Sequence, residues 1–60
     1  MKKFDMYAVI SINNTGELMD TEAWFPYEQA ARSYGELNFQ GYYIVQGVYI
    51  KGGCLEYVGI

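Results

Sequence analysis

The sequence predicts a small α+β domain with the element order β-β-α-β-β, in which one helix packs on one face of a four-stranded, mainly antiparallel sheet. Three observations support this fold class. Two segments have the pattern of β-hairpins, an amphipathic segment separates them, and the 60 residues leave room for one domain. We therefore expect residues 1–60 to form a single compact domain. A chain this short is marginally stable by itself, and oligomerisation commonly stabilises such domains.

The first hairpin is predicted from residues 4–12 and 17–24. Apolar side chains occupy the even positions of the first segment: Phe4, Met6, Ala8, Ile10 and Ile12. Such alternation is typical of a strand with one buried face. The Asn-Asn-Thr-Gly sequence that follows favours a tight turn. The predicted pairs are Ile12–Glu17, Ile10–Met19, Met6–Ala23 and Phe4–Phe25. A fold without a regular second strand is the alternative.

The helix is predicted to begin at Pro26, which suits a first helical turn because its missing N–H is not needed there. Gly41 is expected to end the helix in a left-handed conformation. Apolar residues recur at helical spacing and predict an inward stripe of Tyr27, Ala30, Ala31, Tyr34 and Leu37.

The second hairpin is predicted from residues 42–51 and 54–60, joined by a Gly52-Gly53 loop. Its predicted pairs are Ile50–Leu55, Val48–Tyr57, Tyr49–Glu56, Gly47–Val58 and Val45–Ile60.

These patterns also predict which face of the sheet the helix covers. We expect the helix to dock on the face that carries Phe4, Met6, Ile10, Ile44, Val48 and Leu55. The uncovered face is then predicted to be a protein-binding surface formed by Tyr7, Val9, Tyr43, Val45, Tyr49 and Val58. An exposed apolar patch with tyrosines is typical of an interaction site.

Several chemistries lack the residues that they require. The chain has no histidine and one cysteine, Cys54, so we expect no metal, no cofactor and no nucleophile–base pair. Asp20 and Glu22 are expected to be solvated rather than catalytic. We therefore predict that the protein is not an enzyme. With four basic residues and a net charge of −3, we also predict no binding to double-stranded nucleic acid.

The expected compartment is the cytoplasm. The sequence has no apolar run of membrane-spanning length and no signal-peptide core, and a single cysteine suits a reducing environment. No membrane association is predicted.

The predicted function is that of a non-enzymatic protein-binding module, acting as a small inhibitor or regulator of another protein through the uncovered sheet face. A homo-oligomer, with a dimer favoured, is expected through the same face. The small, acidic composition also suits a phage or prophage factor for anti-defence or host takeover. One alternative is an oligomer that sequesters nucleotides or small ligands by tyrosine stacking. The other is a structural subunit of a larger assembly.

Overall fold

The computed structural model describes residues 4–57, and this part of the chain contains one helix and four strands. They are β1 (Met6–Ile12), β2 (Leu18–Phe25), α1 (Glu28–Phe39), β3 (Tyr43–Lys51) and β4 (Cys54–Tyr57). The strands form one sheet in the order β2-β1-β3-β4, and each neighbouring pair is antiparallel. The predicted β-β-α-β-β fold, with one helix and a four-stranded sheet, is confirmed.

The second hairpin has the predicted register. The pairs between β3 and β4 are Val48–Tyr57, Tyr49–Glu56, Ile50–Leu55 and Lys51–Cys54. Gly52 and Gly53 form the loop, with φ angles of 58° and 82° that glycine adopts without the steric cost of a Cβ. The predicted pairs Gly47–Val58 and Val45–Ile60 lie outside the described residues.

The first hairpin is present, but the predicted register is wrong. The observed pairs between β1 and β2 are Tyr7–Phe25, Ala8–Trp24, Val9–Ala23, Ile10–Thr21 and Ile12–Leu18. The register shifts twice between Val9 and Ile12, so β2 contains extra residues relative to β1. The Ser11 hydroxyl binds to this irregular stretch, where it donates to the Glu22 carboxylate at 2.8 Å and accepts from the Asp20 N–H at 3.4 Å. Simple alternation assumes one residue opposite one residue, which a bulge violates.

The helix begins later than predicted and has a different inward stripe. Tyr27 is the N-cap, with an extended backbone, so Pro26 precedes the helix. The predicted stripe is wrong for Tyr27 and Leu37, which are 67% and 82% exposed. The inward residues of α1 are Ala31, Tyr34, Gly35 and Phe39. At the other end, Gly41 has the predicted positive φ angle, and Gln40 before it is also left-handed.

Helix α1 connects β2 to β3 and packs across β1, which lies between them. We call the covered side of the sheet the helix face. It is formed by Tyr7, Val9, Phe25, Tyr43, Val45, Gly47 and Tyr49. Ala31 of the helix belongs to the same buried cluster as Tyr7 and Val9. The predicted docking face is therefore wrong except for Phe4, which packs against the helix-face cluster, because the helix covers the side that was expected to stay open.

The reason for this error lies in β1. All five residues from Tyr7 to Ser11 are buried, so the strand is buried on both sides and its alternation does not distinguish them. Gly35 and Gly47 mark the helix face more clearly. A Cβ at Gly35 would overlap the Tyr43 ring, and a Cβ at Gly47 would overlap the Phe4 ring. Each glycine thus leaves room for an aromatic ring at the covered side.

Candidate interaction face

The side of the sheet opposite the helix, which we call the open face, has a buried centre. Ala8 and Val48 have no exposed surface, and Ile10 is 5% exposed. Met6 and Ile44 pack against these three residues and are partly buried. Among residues 4–57, no helix covers this cluster, so its burial comes from the sheet itself and from the side chains around it.

Large apolar side chains surround that centre and remain exposed to solvent. Their positions follow from the register, because directly opposed residues of a sheet point to the same face. Trp24 lies opposite Ala8, and Tyr57 lies opposite Val48. The full set, which we call the rim, is Leu18, Trp24, Ile50, Leu55 and Tyr57. Each rim residue is 38–48% exposed.

A hydrogen bond joins the two edge strands above the centre of the open face. The indole Nε1–H of Trp24 on β2 donates to the Tyr57 hydroxyl on β4 at 2.9 Å. Two strands lie between β2 and β4, so a flat sheet would separate them by about 14 Å at ~4.8 Å per strand. The curl of the sheet and the inward direction of both side chains close this distance. The open face is consequently concave.

The paired positions of the open face are also uncharged, and beside the rim the Asp5 carboxylate accepts from the Ile50 N–H at 2.9 Å. These paired positions within residues 4–57 carry apolar side chains apart from Thr21 and Gln46. The Gln46 amide donates to the backbone oxygen of Gly47 at 3.1 Å. The ion pairs lie elsewhere: Lys51 contacts Glu56 at 3.4 Å from the strand positions that alternate with the rim, and Arg32 contacts Glu28 on the helix. The face is therefore suited to apolar contact rather than to a charged ligand.

The residues predicted as a protein-binding surface do lie together, but most lie beneath the helix. Tyr7 is 8% exposed, Val9 is fully buried, and Val45 packs against the same cluster. Tyr43 is partly buried under α1. Tyr49 is partly buried, and its ring contacts Phe4 with centroids 5.1 Å apart. The predicted member Val58 lies outside the described residues.

Tyr43 connects the helix to the helix face of the sheet through hydrogen bonds. Its hydroxyl donates to the Glu36 carboxylate at 2.8 Å and lies 3.3 Å from the backbone oxygen of Arg32. The hydrogen bond to Glu36 raises the pKa of Tyr43 above its ordinary value, and desolvation adds to the shift. The Tyr43 hydroxyl therefore forms hydrogen bonds within the fold rather than with a partner.

The rim residues are apolar in the sequence, but the sequence pattern places the helix on their face of the sheet. Ile50, Leu55 and Tyr57 follow correctly from the second hairpin. Trp24 and Leu18 did not, because the bulges change the face on which β2 side chains emerge. The signal that could have separated the faces is Gly47 in β3, since a glycine within a strand often marks a site of close approach, here by the Phe4 ring.

The remaining chemical groups form no further site in the described residues. Cys54 is a free, exposed cysteine in β4, opposite Lys51. Residues 4–57 contain no group of three or more cysteine and carboxylate side chains positioned to hold a metal ion. The helix in this part of the chain is too short and too polar to span a membrane.

Comparison of the chain with protein-family models, curated proteins and solved structures finds no match. The structure defines a small α+β domain with a concave apolar face.

Proposed function

We propose that this protein is a non-catalytic protein-interaction domain that acts through the open face. The observation that carries the proposal is the rim, where five large apolar side chains are exposed around a buried, uncharged centre. Isolated exposed apolar residues are normal, whereas a contiguous group of them is typical of an interaction surface. Trp and Tyr within the rim add large contact areas with few rotatable bonds.

The composition of the face favours a protein over an anionic ligand. Nucleic acids and nucleotides are bound largely through cations that neutralise phosphate. Arg32 and Lys51 are the basic residues of the described chain, and both are paired with carboxylates away from the rim. The tyrosines expected to stack on a nucleotide, Tyr43 and Tyr49, pack within the helix face. The nucleotide-sequestering alternative therefore has no supporting observation.

The finer roles stay predictions. An inhibitor or regulator, a phage or prophage anti-defence factor and a subunit of a larger assembly would each use an apolar docking face of this kind. Size and acidity alone suggested the first two roles. The open face supports the shared element of all three, which is a stable contact with protein.

The test places a carboxylate on the rim and, separately, at a matched exposed position. Ile50→Asp introduces a charge on the open face, and Leu37→Asp introduces the same charge on the helix, where Leu37 is 82% exposed. We expect both variants to keep the wild-type circular dichroism spectrum. Ile50→Asp should lose the chain's complexes with itself or with other proteins, measured by size exclusion with light scattering, because a desolvated, unpaired charge opposes apolar contact.

The contrast between the two variants decides the outcome. Complexes that survive Ile50→Asp as well as Leu37→Asp would place the interaction surface elsewhere. Equal loss in both variants would show a general effect of added negative charge. Leu55→Asp serves as a second rim variant, since Leu55 lies opposite Ile50 and is 46% exposed.

A further inference from the structure

We infer that the occupant of the open face is a second copy of this chain, docked face to face about a twofold axis. The inference rests on the proposed function and adds the identity of the partner. It follows from the charge, the size and the edges of the described sheet.

The first argument is the absence of charge on the paired positions of the open face within residues 4–57. In a twofold contact the same patch meets itself, so a charge near the axis would face an identical charge. Selective recognition of a different protein commonly uses complementary charges, which also accelerate association. An acidic chain with a net charge of −3 keeps its described carboxylates off these positions. A neutral patch on an acidic molecule therefore avoids the like-charge repulsion that would oppose self-contact.

The second argument is size. A standard interface covers about 800 Å² on each partner, which is roughly a fifth of the 4235 Å² surface of this chain. The rim supplies five large side chains that are each 38–48% exposed, and Tyr42 extends the face. Tyr42 is 56% exposed and lies opposite Ile12, whose N–H donates to the Tyr42 backbone oxygen at 3.1 Å. These six exposed side chains are the apolar surface that a dimer would bury, and a chain of 60 residues commonly gains stability from oligomerisation.

The third argument concerns the two edge strands of the sheet, because two copies of the chain could also associate by pairing these edges. At one edge, β2 is interrupted by two register shifts, and irregular edges resist pairing with another strand. At the other edge, β4 carries Glu56, which is paired with Lys51 at 3.4 Å, and charged side chains on an edge strand oppose its pairing with another strand. The paired positions of the open face carry no charge.

The fluorescence of Trp24 is an internal probe of this contact. Trp24 is the single tryptophan of the chain and is 43% exposed on the rim. A face-to-face dimer would bury its indole further, whereas edge pairing through β4 would leave it in solvent. Fluorescence of Trp24 therefore reports directly on occupation of the open face.

The experiment uses the purified full chain without other proteins, from about 1 µM to about 1 mM. We expect light scattering to approach twice the 6.9 kDa mass of one chain, with a blue shift of Trp24 emission over the same concentration range. Ile50→Asp should stay monomeric, with red-shifted emission at every concentration. Leu37→Asp should dimerise with a dissociation constant within about threefold of wild type.

Two results would overturn the inference. One is a wild-type chain that stays monomeric up to about 1 mM, and the other is a dimer that both Ile50→Asp and Leu55→Asp leave intact. A monomeric chain would leave the proposed function standing if Ile50→Asp abolishes a complex with another protein that Leu37→Asp retains. If Ile50→Asp abolishes no complex of either kind, the proposed function fails as well.

Discussion

The two faces of the sheet are both apolar, but they are filled in different ways. On the helix face, glycines make room for aromatic rings, and the Tyr43 ring lies against Gly35 of the helix. On the open face, small or β-branched residues occupy the centre, and the large side chains remain around it. Val9 and Val48 illustrate the difference, because each is fully buried although only Val9 lies under the helix.

This contrast shows that burial of a sheet residue does not require a covering helix. Strand curl and two long side chains that meet through a hydrogen bond bury Ala8 and Val48 without one. The helix face is therefore largely covered, since Tyr7, Val9 and Ala31 form a buried cluster there and the surrounding rings are partly buried. On the open face the central residues are buried, whereas the rim residues remain partly exposed to solvent. Apolar area of the rim therefore remains to be buried. We expect changes on the two faces to separate stability from association.

The largest expected effect compares Val9→Ala with Val48→Ala, which truncate the same side chain at two fully buried positions. Each removes about two methyl groups and leaves a cavity, so each should lower the free energy of unfolding by about 2–3 kcal/mol. Only Val48→Ala should also weaken self-association, because Val48 supports the rim residue Tyr57. Denaturant unfolding at two protein concentrations measures both quantities. Equal weakening of association by Val9→Ala would contradict the separation of the two faces.

The second effect tests the close contact on the helix face. Gly35→Ala should destabilise the fold by about 1–2 kcal/mol, because its Cβ would overlap the Tyr43 ring and overpacking outweighs the better helix propensity of alanine. Thermal unfolding followed by circular dichroism measures the loss. Association should be unaffected beyond this loss of stability.

A matched control comes from the outer side of the same helix. Ser33 is exposed, so Ser33→Ala should be neutral or slightly stabilising. Tyr43→Leu should make the fold tolerant of Gly35→Ala, and the double-mutant cycle should show coupling above 0.5 kcal/mol, on the usual scale for residues in contact. If Gly35→Ala stabilises the wild-type background, the ring does not pack as closely as the structure shows.

Much of the fold follows from the sequence because its signals are local. The Gly52-Gly53 loop fixes the register of the second hairpin, and every predicted pair within the described residues is observed. Gly41 correctly marks the end of the helix. The first hairpin is less predictable because bulges near Ser11 shift its register, and alternation of apolar residues does not reveal where a bulge occurs.

The candidate site was harder to predict because it depends on which face the helix covers. That choice is not local: β1 is apolar on both sides, and the helix face is selected by the strand order and by the handedness of the crossover from β2 to β3. The strand order was not predicted from the sequence. The sheet has one covered and one uncovered apolar face, as the sequence pattern predicts, but Tyr7 and Val9 belong to the covered face.

The smallest expected effect concerns pH and the bond that holds the helix on its face. Tyr43 donates to the Glu36 carboxylate, which raises its pKa in the folded chain above the ordinary value of about 10. Because the folded pKa exceeds the unfolded one, the stabilisation is fully present below about pH 10 and is lost as the pH rises through the folded pKa. Tyr43→Phe should therefore be less stable than wild type at neutral pH, and this difference should vanish at alkaline pH. The open face should show no matching effect.

Ultraviolet absorbance of tyrosinate measures this ionisation, and the difference between wild type and Tyr43→Phe isolates the contribution of Tyr43 from those of the other tyrosines. The difference curve should have its midpoint above pH 10. Glu36→Gln keeps an acceptor oxygen but removes the charge, so it should move that midpoint down toward the ordinary value. A midpoint at or below about 10 in the wild type would mean that the phenol does not donate to Glu36 in solution. The helix would then be held on its face by the packing of Ala31, Tyr34, Gly35 and Phe39, and the fixed orientation of the Tyr43 ring, on which the Gly35→Ala prediction depends, would lose its explanation.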